Sequence, residues 1–583
     1  MNRNPDWARL MSHAVAILST AMPCVAQATL RCAAREDGRR QSFSALSHAR
    51  SMSPDGRWLA FASDSSSEVG VFLRDLLTGE LFPVSIGLQG NLRGGFLPTV
   101  TSDGSRVAFL SADGELVPND TNQQTDVFVW TRATRSLARA NVDGNGSQSV
   151  GLAYSGVISR DGSTVAFSSY AGDLVPGDTN GELDFFMHHL ATGLTLRVSV
   201  GSNGQQGLPT CSSPGPLCVT RPKLDVSDDG RFIAFESWMT NLVPNDSAGL
   251  DVFVHDWFTG TTQRVSEAAG GCNSTGSSSS PSISGDGRWV AFHAIANDLV
   301  PGAGPGAYLR DLASGVTSTL GFGPNGSHIG GGILPQPVLS QNGNFVAFVT
   351  DVDLLVPDDQ DGQVDLFVQR LGSTQIELVS RGAGGSNLSN STFDWNSIGS
   401  PAHGVTNDGR VMFRAAASAI LGEPSSSQTP FTVVLHDPSM RTSAVSDYCT
   451  AKTNSLGCVP RMTVCGAPSM SAGQRFALIA ENVRSHKTGF LVWSTSSLAV
   501  PFDGGTLCIG TPRRRTPAQD SGGASGADDC TGAYSFWFDP AYVTSVGLSP
   551  GDAVYAQYYS RDPWPFSSNN SGLTNAIRFL VLP

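Results

Sequence analysis

Lysine, charged residues in general and long apolar runs are all scarce in this chain of 583 residues. It has three lysines (Lys223, Lys452 and Lys487), and the other 34 of its 37 basic residues are arginine. The formal net charge is −13, which argues against a nucleic-acid partner, because phosphate contacts need a basic surface. No apolar run after residue 28 is long enough to cross a bilayer, so we expect no membrane span.

Ten cysteines are present, and none of them forms a C-x2-C pair, which disfavours a zinc site. Cys211 and Cys218 bracket a short loop and are expected to form a local disulfide. Cys508 and Cys530 flank a polar, glycine-rich segment, and we expect a disulfide to close it. Disulfides would require an oxidising compartment outside the cytoplasm.

The first 28 residues have the features of an export signal. Arg3 and Arg9 precede an apolar run over 10–25, and Ala-Gln-Ala at 26–28 fits a cleavage site. A buried N-terminal helix is the alternative. We therefore predict a signal peptide over 1–28 and a bacterial protein that is secreted, periplasmic or held at the cell surface.

Seven copies of one pattern determine the predicted architecture. Each copy starts with a turn of the form S-x-D-G, and most continue into an apolar strand that ends in Ala-Phe. The copies begin at Ser53, Thr101, Ser159, Ser227, Ser284, Ser340 and Thr406. Their turn glycines lie 48 to 68 residues apart, a spacing that suits one four-stranded propeller blade per copy. The pattern predicts an all-β protein with a seven-bladed β-propeller over 43–446, preceded by a segment over 29–42.

The S-P-D-G-x-x-h-A-F element, together with an h-Y/F-V-x-D-x-x-T-G element, resembles the WD40-like (PD40) repeats of TolB-type bacterial propellers. The resemblance covers residues 43 to 446 and implies the fold. It leaves function open, because such propellers serve as scaffolds, receptors, peptidase gates and lyases. The second and third copies also contain L-V-P-x-D-T-N-x-x-x-D, which is similar to a variant in secreted bacterial proteins of unknown role.

Residues 447–583 break the repeat and predict a small β-sandwich, because short strand-like runs alternate with Gly, Ser and Pro. This tail resembles a C-terminal module of secreted bacterial repeat proteins. Its G-x-S-x-G match at 547–551 is expected to be a turn, since Pro550 has no N–H for an oxyanion hole. The D-S-G-G match at 520–523 lacks the other serine-protease motifs.

The loops between second and third strands carry acidic residues at metal-ligand spacing. Three of these loops share the pattern D-x-[DN]-x3-D, in which oxygen ligands alternate as calcium requires. The predicted calcium ligands are Asp120, Asn122, Asp126, Asp178, Asn180, Asp184, Asp359, Asp361 and Asp365. Asx-turns, in which these side chains bond their own backbone, would give the same pattern and are the alternative.

A column of third-strand residues suggests a second metal hypothesis. It contains His188, His255, Gln369 and His436, and some propeller lyases, such as oligogalacturonate lyase, are similar in using histidines and a glutamine. Equivalent third-strand positions should lie on the order of 10 Å or more apart, beyond shared ligation. We therefore expect these side chains to pack within their strands.

The sequence thus predicts a non-catalytic binding or scaffold protein that recognises a protein or glycan partner, with calcium as a possible aid. The alternative is a propeller enzyme that acts on polysaccharide, as a lyase or hydrolase, or on peptide. Exposed aromatics such as Trp130, Trp238 and Trp257 could line a binding face. Histidines or carboxylates that converge at the mouth of the central channel would favour the enzyme.

Overall fold

The computed structural model confirms the all-β prediction. It describes residues 29–30 and 50–581, apart from 66–67, 77, 79, 209–222, 247–248, 269–273, 321–335, 352–354, 357–361, 374–375, 381–401, 417–430, 437–444, 466–467, 469, 471–475, 523–528, 531 and 563–570. Each of the seven repeats forms one antiparallel sheet whose strands follow in chain order. We number these sheets 1 to 7.

The strands of the first four sheets are bounded as follows, after a short strand β1 (Thr29–Leu30). Sheet 1 contains β2 (Trp58–Ser65), β3 (Glu68–Asp75) and β4 (Leu81–Pro83). Sheet 2 contains β5 (Phe96–Val100), β6 (Arg106–Ser111), β7 (Asp126–Thr131) and β8 (Ser136–Arg139). Sheet 3 contains β9 (Ala153–Ile158), β10 (Thr164–Ser169), β11 (Asp184–His189) and β12 (Leu194–Arg197). Sheet 4 contains β13 (Leu224–Val226), β14 (Phe232–Ser237), β15 (Asp251–Asp256) and β16 (Thr261–Arg264).

The remaining three sheets follow the same plan. Sheet 5 contains β17 (Ser278–Ile283), β18 (Trp289–Ala294), β19 (Gly306–Asp311) and β20 (Val316–Thr319). Sheet 6 contains β21 (Val338–Leu339), β22 (Phe345–Thr350), β23 (Asp365–Arg370) and β24 (Ile376–Leu378). Sheet 7 contains β25 (Ala402–Val405), β26 (Val411–Ala416) and β27 (Phe431–His436), and β1 pairs with β27 as its outermost strand.

The side chains of the S-x-D-G motif build the turn between the first and second strands. In the first repeat, the Ser53 hydroxyl donates to Asp55 (2.5 Å) and accepts the N–H of Trp58 (2.8 Å). The Gly56 N–H bonds the Ser53 carbonyl (2.8 Å). The seven turn glycines have φ between +65° and +88°, a region that only glycine adopts without strain. The motif is therefore a set of local bonds that starts each hairpin.

The turn glycines also hold neighbouring sheets together. Each one packs against a side chain that follows the turn of the preceding repeat, where a Cβ would be crowded. The pairs are Gly104 with Trp58, Gly162 with Arg106, Gly230 with Thr164, Gly287 with Phe232, Gly343 with Trp289, Gly409 with Phe345 and Gly56 with Arg410. A Cβ on Gly409, for example, would lie 2.7 Å from the Phe345 ring. The missing Cβ thus lets adjacent sheets approach closely.

Sheet 7 contacts sheet 1 through the same elements. The pair of Gly56 and Arg410 joins them, and Arg410 Nη2 donates to the Asp55 carbonyl (2.7 Å). The Asn407 N–H donates to the Pro54 carbonyl (2.9 Å). Met412 shares an apolar cluster with residues of sheet 1. The first and last repeats are therefore neighbours, as in a propeller.

Charged side chains occupy the axis near the turns. Arg50 precedes the first repeat turn and is buried, yet it pairs with Asp225 and donates to the Val226 carbonyl of sheet 4. Because sheets 1 and 4 lie on opposite sides of the ring, this side chain crosses the axis. The buried Arg160 lies beside it and donates to the Val100 carbonyl (2.7 Å). Burial and the charge of Arg50 lower the pKa of Arg160 to about 9.

The tail forms further antiparallel sheets, and its first strand begins at Val445. The largest sheet contains β28 (Val445–Asp447), β31 (Thr488–Ser494), β34 (Arg514–Arg515), β35 (Gln519–Asp520), β37 (Ala553–Arg561) and β38 (Ser571–Leu580). A second sheet contains β29 (Arg461–Cys465), β30 (Ala477–Val483) and β36 (Gly532–Trp537). A hairpin contains β32 (Ser497–Phe502) and β33 (Gly505–Ile509), and the helix α1 spans Pro540–Ser545.

The two larger tail sheets share one apolar core. Leu478 and Tyr534 of the smaller sheet meet Trp493, Tyr558 and other side chains of the larger sheet in a single buried cluster. The opposite side of the smaller sheet carries Ala477, which joins the cluster of sheets 1 and 7. The tail therefore packs against the junction between the first and last repeats. Across the described parts of the chain, no helix has the length and apolarity needed to cross a membrane.

Two disulfides connect parts of the tail. They join Cys449 to Cys508 and Cys458 to Cys530. The predicted pairing of Cys508 with Cys530 is wrong, because Cys508 lies on the hairpin beside Cys449 and Cys530 bonds to Cys458. The predicted pair of Cys211 and Cys218 lies outside the described residues. Disulfides of this kind indicate an extracytoplasmic protein.

Replacing Gly287 by Ala should destabilise the ring. The new Cβ would overlap the Phe232 ring and would also require an alanine at φ +73°. We expect a loss of about 2–5 kcal/mol in the free energy of unfolding, from the left-handed backbone and the overpacking together. Urea denaturation of the variant and the wild-type protein measures this loss in the free energy of unfolding.

Gly193→Ala is the matched control, because Gly193 has φ +70° but no atom within 4 Å of the added Cβ. It should lose only about 1 kcal/mol, the cost of the backbone conformation alone. Equal losses in the two variants would contradict the packing role of the turn glycine.

Candidate functional site

The predicted metal residues of sheets 2 and 3 each lie around an arginine. In sheet 2, Arg139 on the fourth strand reaches Asp120 (3.2 Å) and Asp126 (3.0 Å). In sheet 3, Arg197 reaches Asp178 (3.0 Å) and Asp184 (3.5 Å). The four carboxylates are at most 5% exposed. A guanidinium therefore lies between the two carboxylates in both loops.

The asparagines of these loops act as turn residues. Asn122 Oδ1 accepts the N–H of Gln124 (3.0 Å), and Asn180 Oδ1 accepts the N–H of Glu182 (3.1 Å). The Asn122 amide also donates to the carbonyl of Ser149 (2.8 Å) on the following loop. These are the bonds of Asx-turns, the alternative that the sequence offered.

In sheets 3, 4 and 6 the third strand begins with an aspartate, and a serine on the fourth-strand side donates a hydrogen bond to that aspartate. In sheets 3 and 4 this serine lies two residues after the arginine. The Ser199 hydroxyl donates to Asp184 (2.5 Å), and Ser266 donates to Asp251 (2.7 Å). In sheet 6, Ser380 donates to Asp365. Asp359 and Asp361, the other two predicted ligands of that loop, lie outside the described residues. Leu378 stands where sheets 2 to 4 have their arginine.

Calcium is not supported by this geometry. Burial raises the pKa of Asp184 to about 6 although Ser199 and Arg197 oppose the shift, and burial likewise raises the pKa of Asp126. Within the described ranges, no group of three or more His, Cys, Asp or Glu side chains could hold a metal ion. The metal assignment stays a prediction, and the structure offers arginine as the resident cation.

The histidines of the third strands bond within their own sheets. His188 Nδ1 contacts the Thr195 hydroxyl (2.9 Å), and His255 Nδ1 contacts the Thr262 hydroxyl (2.8 Å). Burial lowers the pKa of His255 to about 4 and also lowers that of His188. Both side chains are therefore neutral packing groups at neutral pH. The side chain of His436 lies outside the described residues.

Replacing Arg197 by Met tests the role of the guanidinium. The change leaves Asp178 and Asp184 buried without their cation, so we expect a loss of about 3–5 kcal/mol in the free energy of unfolding. Arg135→Met, at an exposed hairpin arginine, is the control and should change it by less than about 0.5 kcal/mol.

Thermal melting of the wild-type protein with Ca²⁺ and with EDTA completes this test. If arginine is the resident cation, the midpoint is the same under both conditions. A midpoint that rises with Ca²⁺ would instead support the metal prediction.

Stability should fall with acidity because His255 is buried in its neutral form. Its folded pKa of about 4 lies below the unfolded value of about 6.5, so the unfolded chain binds more protons between these values. The stabilisation is complete above pH 6.5 and is lost as the pH falls towards 4. His255→Gln should reduce this loss by at most about 3 kcal/mol.

Urea denaturation at several pH values measures the effect. His189→Gln, at a half-buried neighbour that bonds Thr192, is the control for replacing a histidine by glutamine. A His255→Gln variant with an unchanged pH dependence would contradict the assignment.

An exposed apolar face lies at the end of the ring opposite the repeat turns. Its five side chains come from sheets 3 to 5 and from the loops that lead into them. They are Val150 (72% exposed), Tyr170 (40%), Leu208 (57%), Trp238 (39%) and Ile295 (50%). Tyr170, Trp238 and Ile295 occupy equivalent positions, directly after the second strand of consecutive sheets. We call this set the apolar face.

Backbone contacts fix the loops of the apolar face. The Val150 N–H donates to Asp173 (3.0 Å), three residues after Tyr170. In the same way, the Leu208 N–H donates to Asn241 (2.7 Å), three residues after Trp238. Each loop is thereby tied to the segment that follows the second strand of the sheet into which it leads.

Sequence reasoning found only part of this face. Trp238 belongs to it, but Trp130 is 2% exposed and lies in the core. Trp257 is half buried, and its indole N–H donates to the carbonyl of Gly230 (2.9 Å). Tyr170 and Leu208 were missed, although Tyr170 follows its Ala-Phe strand at the same offset as Trp238.

Two ionisable side chains lie on the second strands at this end of the ring. Glu236 accepts the N–H groups of Ser280 (2.8 Å) and Lys223 (3.1 Å), and burial raises its pKa. His293 is 4% exposed, and burial lowers its pKa to about 4. Glu236 bridges sheets 4 and 5 through backbone groups, which is a structural role.

Comparison with known proteins gives likeness in fold. No protein-family model and no curated protein matches the chain. A putative TolB from Agrobacterium tumefaciens is 15% identical over 46% of this chain and 79% of its own, with a TM-score of 0.29. The β-propeller domain of the Trilobed protease from Pyrococcus furiosus is 10% identical over 68% and 96%, with a TM-score of 0.38. Oligogalacturonate lyase from Vibrio parahaemolyticus is 11% identical over 69% and 92%, with a TM-score of 0.42. The solved structures similar to this chain therefore include a putative TolB and the β-propeller domain of a protease.

Proposed function

We propose that this protein is an extracytoplasmic recognition protein that binds a protein or glycan partner. The observation that carries the proposal is the apolar face, five exposed apolar side chains from sheets 3 to 5 and from the loops that lead into them. Exposed apolar patches with fixed geometry mark binding surfaces more often than isolated exposed residues do. Tyr170 and Trp238 supply the large, stiff contact area that is common at such surfaces.

The other end of the ring is less suited to a ligand. Arg50 crosses the axis there and pairs with Asp225, and Arg160 is buried beside it. The repeat turns around them bond one another, for example through the Gly285 N–H and the Gln341 carbonyl (2.7 Å). A partner that approached this end would meet turns whose backbone groups already bond one another.

The compartment follows from the disulfides and from the predicted signal peptide over 1–28. A chain exported in this way would act in the periplasm, at the cell surface or outside the cell. Cleavage after Ala28 would start the mature chain at Thr29, which begins strand β1 on sheet 7. Calcium forms no part of this proposal.

An enzyme that acts on polysaccharide or peptide is the alternative. Glu236 and His293 are the ionisable groups that would favour it, because they lie on adjacent sheets near the mouth of the ring. Both carboxylate oxygens of Glu236, however, accept backbone N–H groups from neighbouring strands. That arrangement favours a structural carboxylate, and recognition is the function that the geometry supports better.

Replacing Leu208 and Trp238 by Ser should abolish partner capture without unfolding the ring. Both side chains are exposed, so the loss falls on binding, and burial of two such side chains typically contributes about 3 kcal/mol or more. The assay is retention of partners from the source cell's envelope fraction on immobilised protein, quantified against wild type.

Val316→Ser on the outer strand of sheet 5 is the control, since Val316 is 60% exposed but lies outside the apolar face. We expect the control to retain the same partner as the wild-type protein and the double variant to lose it. Identical retention by all three proteins would rule out the apolar face as the binding surface.

A further inference from the structure

The tail contains a cleft of about 540 Å³ between the hairpin of β32 and β33 and the outer surface of the larger sheet. Its lining residues alternate along the strands, as one face of a sheet requires. They include Thr488, Phe490 and Val492 on β31, and Gln557, Tyr559 and Arg561 on β37. Clefts of this size accommodate small organic ligands. We call it the tail cleft.

The hairpin is fastened over the sheet at both ends. At its base, the disulfide of Cys449 and Cys508 joins it to the tail's first segment. Gln557, which is 1% exposed, accepts the Cys508 N–H (3.0 Å) and donates to the Thr506 carbonyl (3.1 Å). At its tip, Lys452 donates to the Asp503 carbonyl (2.6 Å). The cleft is therefore preformed, and a ligand would not have to order it.

Aromatic rings form one wall of the tail cleft. Phe490 and Tyr559 stack with ring centres 5.1 Å apart, and Phe502 meets Tyr559 edge-on at 6.2 Å. Phe502 is 39% exposed on the hairpin. Tyr559 and the Arg515 guanidinium cover the two faces of the Phe490 ring. The exposed Phe502 ring is therefore the apolar surface that the hairpin offers to a ligand.

Arginines supply the charge of the tail cleft. Arg513, Arg515 and Arg561 line it, and none of its described lining residues is acidic. Among the described residues, Arg515 and Arg561 make no ion pair, and the Arg515 guanidinium lies 4.8 Å from the centre of the Phe490 ring. A cluster of three cations in a chain of net charge −13 favours an anionic ligand.

We propose that the tail cleft binds a sugar segment that carries a carboxylate, such as a hexuronic acid unit of a polysaccharide. A pyranose ring has an apolar C–H face that can pack on Phe502, beside Tyr559. Its edge carboxylate can accept paired N–H groups from a guanidinium of Arg515 or Arg561. The carboxylate of an acidic peptide lacks the adjoining rigid apolar face, so the aromatic wall favours the sugar.

Calorimetry of the full mature chain with a linear hexuronic acid hexamer tests the proposal. A neutral hexose hexamer of the same linkage and a hexaglutamate peptide are the comparison probes. We expect both comparison probes to bind at least about tenfold more weakly than the hexuronate. Arg515→Gln with Arg561→Gln, and separately Tyr559→Ala, should each weaken hexuronate binding by at least about tenfold.

Arg514→Gln is the matched control for charge, because Arg514 is adjacent in sequence but lies over Trp493. It should change hexuronate affinity by less than about twofold. Thermal melting of each variant establishes that it is folded. The proposal is overturned if the hexuronate does not bind, if either comparison probe binds equally well, or if the Arg514 control loses as much affinity as the cleft variants.

The apolar face takes no part in this assay. A negative result would therefore leave the proposed recognition function standing. Loss of partner capture in the Leu208 and Trp238 variant would, in the same way, leave the tail cleft unaffected.

Discussion

The contact between a turn glycine and the side chain behind it is the constraint on which this structure depends. A Cβ at Gly104, Gly287 or Gly409 would meet an aromatic ring of the preceding repeat, so each sheet can approach its neighbour only because the glycine has no side chain. Burial of apolar side chains between adjacent sheets supplies the stabilisation, and the glycine sets how closely the two sheets approach. The pair of Gly56 and Arg410 uses the same position to bring the last repeat against the first.

This constraint makes the two ends of the ring different. At the turn end, the serine and aspartate of the motif bond within their turn, and Arg50 of the first repeat pairs with Asp225 of the fourth. At the other end, the loops are free of that geometry, and the side chains that follow the second strands vary from aspartate to tryptophan. We therefore place recognition at the end of the ring where the repeated motif does not determine the side chains. The tail packs on the junction of sheets 1 and 7, which leaves its cleft on a separate surface.

The repeated elements could be predicted from sequence because their bonds are local. Ser53, Asp55 and Gly56 lie within four residues, and the turn that they form predicts the two strands on either side of it. The metal prediction did not include Arg139, because Arg139 is distant from Asp120 in sequence and comes close to it only when the strands pair. The tail cleft combines Phe490, Arg515 and Tyr559 from three separate strands. No single segment of the sequence could therefore predict the cleft. The same holds for Cys449, whose disulfide with Cys508 depends on the hairpin's position over the sheet.

Hydrogen–deuterium exchange across the ring tests its closure most directly. If sheet 7 packs on sheet 1 as every other neighbouring pair does, the amides of β2 and β26 should exchange as slowly as those of β14 and β18, since all would open only with the ring. Exchange in β2 and β26 that is faster by about tenfold or more would show that the first and last repeats separate on their own. That result would contradict a closed ring and the fixed surfaces derived from it.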